Sequence, residues 1–230
     1  MSSLPSEGTE HWPVTLPSGP VEVSVAAQRP PAAWATLVLA HGAGAGLDHP
    51  FLVGFTDALL QSGIATLRFN FPDREAGRRM PGPPAHAIAT WRAVLDHVRG
   101  EAPAGEPVWA AGKSYGGRMA SMAEAERPLG IAGLVYLGYP LHPPGDPERE
   151  RAAHLPRIAV PQLFVEGTHD PFVMPHEGLE RAVEACQDAR IAWIEGGGHS
   201  FEVKGQKRPA HEVGAGLAPL VTEFLRARVL

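Results

Sequence analysis

Ser114, Asp170 and His199 are the residues whose types and settings could do chemistry together, by moving a proton while a new bond forms to oxygen. Ser114 stands in Gly112-Lys113-Ser114-Tyr115-Gly116-Gly117, directly after the apolar run Val108-Trp109-Ala110-Ala111. Glycines two residues either side of a serine suit a strand-to-helix turn too tight for side chains at those places. Such a turn lifts the hydroxyl clear of the sheet. The helix that follows aims N–H groups and a positive dipole end at the same spot. The pattern alone is weak, because a chain with 26 glycines meets it by chance, and an ordinary serine in a glycine-rich turn reads the same way. What decides is whether partners stand in a suitable order.

Two segments supply them. Glu166-Gly167-Thr168-His169-Asp170-Pro171-Phe172 follows an apolar run. A carboxylate there can orient a histidine and stabilise its charged form, although Asp-Pro is also a common turn pair. Gly196-Gly197-Gly198-His199-Ser200-Phe201 follows the last apolar run. A histidine on a glycine loop is poorly placed for core packing and well placed as a general base. A third glycine-rich segment, His41-Gly42-Ala43-Gly44-Ala45-Gly46, can bring backbone N–H groups close to a developing oxyanion. Ala43 is the candidate donor there, paired with the N–H of Tyr115, and each such donor is typically worth about 3–4 kcal/mol in a transition state.

The chain order Ser114, Asp170, His199 is that of the α/β-hydrolases rather than of chymotrypsin or subtilisin. The chain resembles the α/β-hydrolase superfamily over nearly its whole length. Within it, the chain is similar to small dienelactone-hydrolase-like proteins, in a branch of testis-expressed and bacterial members. The motifs that carry this resemblance stand at 41–45, 112–121 and 167–172. Dienelactone hydrolases use a cysteine nucleophile; Ser114 stands here instead, so their substrate is not implied. The expected activity is hydrolysis of a small-molecule carboxylic ester or thioester. Ser114 would attack, His199 would act as base, Asp170 would fix the imidazole, and no cofactor or metal would be needed. A non-catalytic interaction protein on the same fold is the alternative.

Around these residues, apolar runs alternate with segments of helical periodicity. Val21–Val25 reads as an edge strand. Ala35–Ala40, Ile64–Phe69, the run before Ser114, Ile131–Leu137, Ile158–Val165 and Ile191–Ile194 read as further strands. Helical spacing is seen from Leu52 to Leu60, from Ile88 to Val98, after Ser114, over roughly Pro175–Gln187, and from Val213 to Leu225. The fold class is α/β: a mostly parallel sheet with helices on both faces, in one domain over 21–230 after a loose lead-in at 1–20. In such sheets the site lies at the carboxyl ends of the strands. The segment 138–157 is too short for a full cap domain. An open site is therefore expected, roofed by loops that include 71–84, with Tyr139, Phe172 and Phe201 as an apolar wall.

Other chemistries fit less well. A dinucleotide fingerprint at 42–47 would need glycine at 47, which is Leu47, and a phosphate loop ending at Ser114 would need glycine at 107, which is Pro107. No paired-histidine metal motif occurs, and His49, His142 and His169 are expected to line the pocket or lie in solvent. Lys113 is expected to be either solvated or an ion-pair partner. Arg74, Arg78 and Arg79 could attract an acidic substrate but also suit a solvated loop. A net charge of −5 without a basic run argues against nucleic-acid or membrane surfaces. The lone Cys186 excludes an internal disulfide, and the polar N-terminus is unlike a signal peptide, so a cytoplasmic setting is expected.

Overall fold

The computed structural model describes residues 8–229. One sheet of eight strands runs through it, in the order β1-β2-β4-β3-β5-β6-β7-β8. The strands are β1 (Thr9–Leu16), β2 (Gly19–Gln28), β3 (Ala35–Ala40), β4 (Ile64–Phe69), β5 (Val108–Lys113), β6 (Gly133–Leu137), β7 (Gln162–Gly167) and β8 (Ala189–Ile194). The pairs β1/β2 and β2/β4 are antiparallel, and all pairs from β4 to β8 are parallel. The helices are α1 (Pro50–Gln61), α2 (Pro72–Glu75), α3 (Pro84–Glu101), α4 (Tyr115–Glu126), α5 (Glu177–Glu184), α6 (Ala210–Ala215) and α7 (Ala218–Arg226).

The central strands are apolar on both faces because helices cover both. On β5, Val108 and Ala110 join the core under α3 and α4, whereas Trp109 and Ala111 join the core under α1 and α7. β3 and β7 divide in the same way, with Val38 and Phe164 on the first side and Leu37, Leu39, Leu163 and Val165 on the second. This period-two alternation is what sends neighbouring residues at the strand ends to opposite sides of the site.

The structure departs from expectation in three places. Residues 9–20 are no loose lead-in: β1 forms there, burying Trp12, Val14 and Leu16 in strict alternation. Pro13 falls on its exposed face, as an edge strand permits. Residues 1–7 lie outside those described. β1 is consequently the edge, and β2, with Val21–Val25, is the second strand. The C-terminal helix is two helices, α6 and α7, separated at Gly216-Leu217 with Pro219 opening the second. Between β6 and β7 there is only loop and one 3-10 turn, Leu155–Arg157, so no large cap covers the strand ends. Among the described residues, no helix is long and apolar enough to cross a membrane.

Candidate active site

Ser114 joins β5 to α4 and has φ 49° and ψ −113°, a left-handed conformation that costs a non-glycine residue of the order of 1–3 kcal/mol. The surroundings enforce it. A Cβ on Gly112 would overlap the backbone N of Gly117, and one on Gly116 would lie 2.6 Å from the His41 carbonyl oxygen and 2.7 Å from that of Ala40. The glycines are thus required by the close approach of α4 to β5 and β3. The Ser114 N–H donates to the Leu137 carbonyl at 3.0 Å, which ties the turn to the end of β6.

Asp170 and His199 reach the same place from the ends of β7 and β8. Asp170 is fully buried. Its Oδ1 accepts the Phe172 N–H at 2.8 Å, and its Oδ2 lies 2.6 Å from His199 Nδ1. His199 Nε2 is 2.9 Å from Ser114 Oγ. The glycine loop is held in turn: Gly196 N–H donates to Thr168 Oγ1 at 2.8 Å, and His169 N–H donates to the Gly197 carbonyl at 2.8 Å. Burial lowers the His199 pKa below its ordinary value, against the opposing pull of the Asp170 hydrogen bond; Lys113 lowers it further. The imidazole at rest is therefore neutral near pH 7 and able to take a proton.

The loop after β3 faces Ser114. Among the described residues, neither the Ala43 N–H nor the Tyr115 N–H donates a hydrogen bond within the chain. Tyr115 opens α4, where no carbonyl one turn back is available. His41 shapes this loop. Its Nε2 accepts the Phe71 N–H at 3.1 Å, which leaves the proton on Nδ1, 2.8 Å from the Gly42 carbonyl. The motif at 41–46 alone does not disclose that role of His41, because its partner lies 30 residues on, beyond β4.

A cavity of about 430 Å³ opens over Ser114 and His199. Phe172 lines it, with its ring centroid 4.3 Å from that of His199. Phe51 and Leu52 from α1 and Val213 from α6 supply the rest of the apolar wall, and these three were not among the residues anticipated. Tyr139 does not line it. Gly138 turns the chain with φ 72°, and the Tyr139 ring packs against Tyr136 and Phe164 on the opposite side of the sheet. Its hydroxyl donates to the Arg151 carbonyl. Phe201 is buried beneath the cavity, stacked on Phe51 at 5.8 Å, so it supports the wall without forming it.

Of the other histidines, His49 lines the cavity and caps α1 through Nδ1, His142 is buried away from it, and His169 is exposed. Arg74, Arg78 and Arg79 border a narrow crevice on the far side of the 42–45 loop, shared with Tyr115. Among the described residues, no group of three His, Cys, Asp or Glu side chains is placed to hold a metal ion.

The sequence profile of the alpha/beta hydrolase domain family matches residues 33–219. Solved structures resemble most of the chain. A dienelactone hydrolase from Anabaena variabilis is 23% identical with a TM-score of 0.72, covering 96% of this chain and 98% of its own. An α/β serine hydrolase without lid from Xanthomonas campestris is 21% identical with a TM-score of 0.71, covering 99% and 97%. The esterase Est1E from Butyrivibrio proteoclasticus, with ferulic acid bound, is 18% identical with a TM-score of 0.73, covering 90% and 96%. At these identities the likeness is one of fold, while the profile match spans most of the chain: this protein belongs to the α/β-hydrolase family.

Proposed function

We propose that this protein is a serine hydrolase that cleaves small carboxylic esters through an acyl-enzyme on Ser114. The observation that carries the reading is the continuous path Asp170 Oδ2–His199 Nδ1 at 2.6 Å and His199 Nε2–Ser114 Oγ at 2.9 Å, opening on the apolar cavity. His199 takes the hydroxyl proton as Oγ attacks the carbonyl carbon. Asp170 holds the tautomer with the proton on Nδ1 and balances the imidazolium. The Ala43 and Tyr115 N–H groups, free of other acceptors among the described residues, receive the oxyanion. The imidazolium then protonates the departing alcohol, and water, deprotonated by the same base, releases the acid.

The apolar side formed by Phe51, Leu52, Phe172 and Val213 suits acyl groups without charge. The ferulic acid held by Est1E is consistent with a cavity of this size admitting an aromatic acid. The test is a series of p-nitrophenyl esters of rising acyl length, with Ser114→Ala as control and labelling by a fluorophosphonate probe. Hydrolysis and labelling are both expected in the wild type and lost in Ser114→Ala. A wild type that neither hydrolyses nor labels, although folded, would make the chain a non-catalytic member of its family.

A further inference from the structure

Lys113 is the one charged side chain inside the serine turn. It closes β5 on the same face as Trp109 and Ala111, so it rises from the core under α1 and α7 toward the loop that carries His199. Its Nζ donates to the His199 carbonyl oxygen at 2.8 Å. No other donor reaches that carbonyl among the described residues. The contact is closed from above by Gly138, at φ 72°: a Cβ there would lie 3.1 Å from both Lys113 Nζ and the His199 carbonyl, and 3.4 Å from His199 Cε1. Phe201, also in a left-handed conformation, sets its ring 5.7 Å from Nζ. The base is thus gripped at its backbone by the residue preceding the nucleophile.

We propose that Lys113 is a positioning residue for the base, whose ammonium clamps the His199 carbonyl and sets the charge that the imidazole faces. The proposal rests on the hydrolytic reading of Ser114, Asp170 and His199. Two effects follow from one group. The clamp keeps Nε2 at hydrogen-bond distance from Ser114 Oγ although the loop is built of glycines. The positive charge opposes that of Asp170, so the imidazole feels less of the carboxylate than the 2.6 Å hydrogen bond alone would impose. Burial pushes the Lys113 amine down to about 8, while the carboxyl groups facing it, Asp170, Glu166 and Glu202, pull it up. Lys113 also lowers the pKa of His199. Besides Lys113, Asp170 is the charged group bearing on the imidazole, with Ser114 Oγ and the Phe172 ring completing its contacts.

Lys113→Met removes both clamp and charge; Lys113→Gln keeps a shorter donor without the charge. On a p-nitrophenyl ester that the wild type hydrolyses, Lys113→Met should lower kcat by about tenfold or more, as for a misplaced base, with KM changing far less. The acid limb of kcat/KM should move to higher pH in both variants, and Lys113→Gln should recover part of kcat. The second measurement needs no turnover. In a Ser114→Ala background, the His199 ring proton resonance is followed by NMR against pH. Its midpoint should rise when Lys113→Met is added, and the Lys113-containing protein should show a second inflection near pH 8 as the ammonium loses its proton. If Lys113→Met does not fold, Lys113→Gln supplies the comparison. Superimposable titrations with and without Lys113 overturn the proposal. Loss of the hydrolytic reading would instead appear as an inactive, unlabelled wild type, with the NMR result standing separately.

Discussion

The Cα of Gly54 on α1 faces the backbone of His211 on α6 so closely that a Cβ would overlap the His211 carbonyl, and Gly214 repeats the relation against the Phe51 carbonyl. Two glycines therefore fix the distance between the helices that carry Phe51, Leu52 and Val213, the apolar side of the cavity.

Replacing Gly54 with Ala must push α6 away from α1. The expected cost is about 1–3 kcal/mol, typical of an overpacked core, read by chemical denaturation. The cavity should widen as the helices part. KM should then rise more for long-acyl p-nitrophenyl esters, which contact that wall, than for the acetate. An equal change across the series would mean that α6 does not bound the acyl group.

Gly116→Ala tests the serine turn in the same spirit. The added methyl would meet the carbonyls of Ala40 and His41, so both stability and fluorophosphonate labelling should fall sharply. Gly100→Ala is the matched control. It lies within α3 with open space around it, and should stabilise by about 0.5–1 kcal/mol through helix propensity without touching activity.

Asp170→Asn keeps the shape of the carboxylate but not its charge, and its amide can donate where Nδ1–H now donates. The wrong histidine tautomer should then be favoured, with kcat falling by about 10⁴. In the wild type, burial holds His199 below its ordinary value of 6.5. In the proposed mechanism, activity depends on the neutral imidazole. It should therefore stay level as pH falls from 7 toward 6.5 and drop only below that, as seen in kcat/KM against pH. An acid limb centred above 7 would contradict the burial described.

Glu166 is fully buried at the end of β7, where its Oε1 accepts the Tyr139 N–H at 2.5 Å while Oε2 has no partner among the described residues. Burial raises its carboxyl well above the usual range. The folded protein thus keeps a proton that the unfolded chain gives up above about 4.3, so this group costs stability increasingly as pH rises beyond that value. Glu166→Gln retains an acceptor for Tyr139 and cannot ionise. It should flatten the decline of Tm toward alkaline pH. Glu166→Ala strands the Tyr139 N–H instead and should cost about 1–3 kcal/mol.

The legible parts of this molecule were those that depend on short stretches of chain. β3, β4 and β6 are mostly apolar and buried at every position because both their faces are covered. Ser114, Asp170 and His199 each sit just past such a run, and the structure brings the three within hydrogen-bond distance. What was misread depends on direction rather than composition. The left-handed Gly138 sends Tyr139 through the sheet instead of into the cavity. Phe172 reaches the cavity because Asp170 holds its N–H. The wall residues Phe51 and Val213 meet only where α1 and α6 touch, an encounter set by two glycines more than 150 residues apart in the chain. β1 was hidden by Pro13, which falls on its solvent face and so interrupts nothing.

The carboxyl ends of β5, β7 and β8 place Ser114, Asp170 and His199, the proposed nucleophile, acid and base, and β8 is the outermost strand at its side of the sheet. Contacts across 85 residues, between His199 and Ser114, must form before the three side chains meet. Long-range pairings of this kind form late in folding, after local structure. Recovery of the site during refolding thus reports the docking of β8 onto β7, and a kinetic trace of regained labelling would lag behind burial of Trp91, whose ring packs on Phe69 and whose indole N–H donates to the Gly116 carbonyl only 25 residues away.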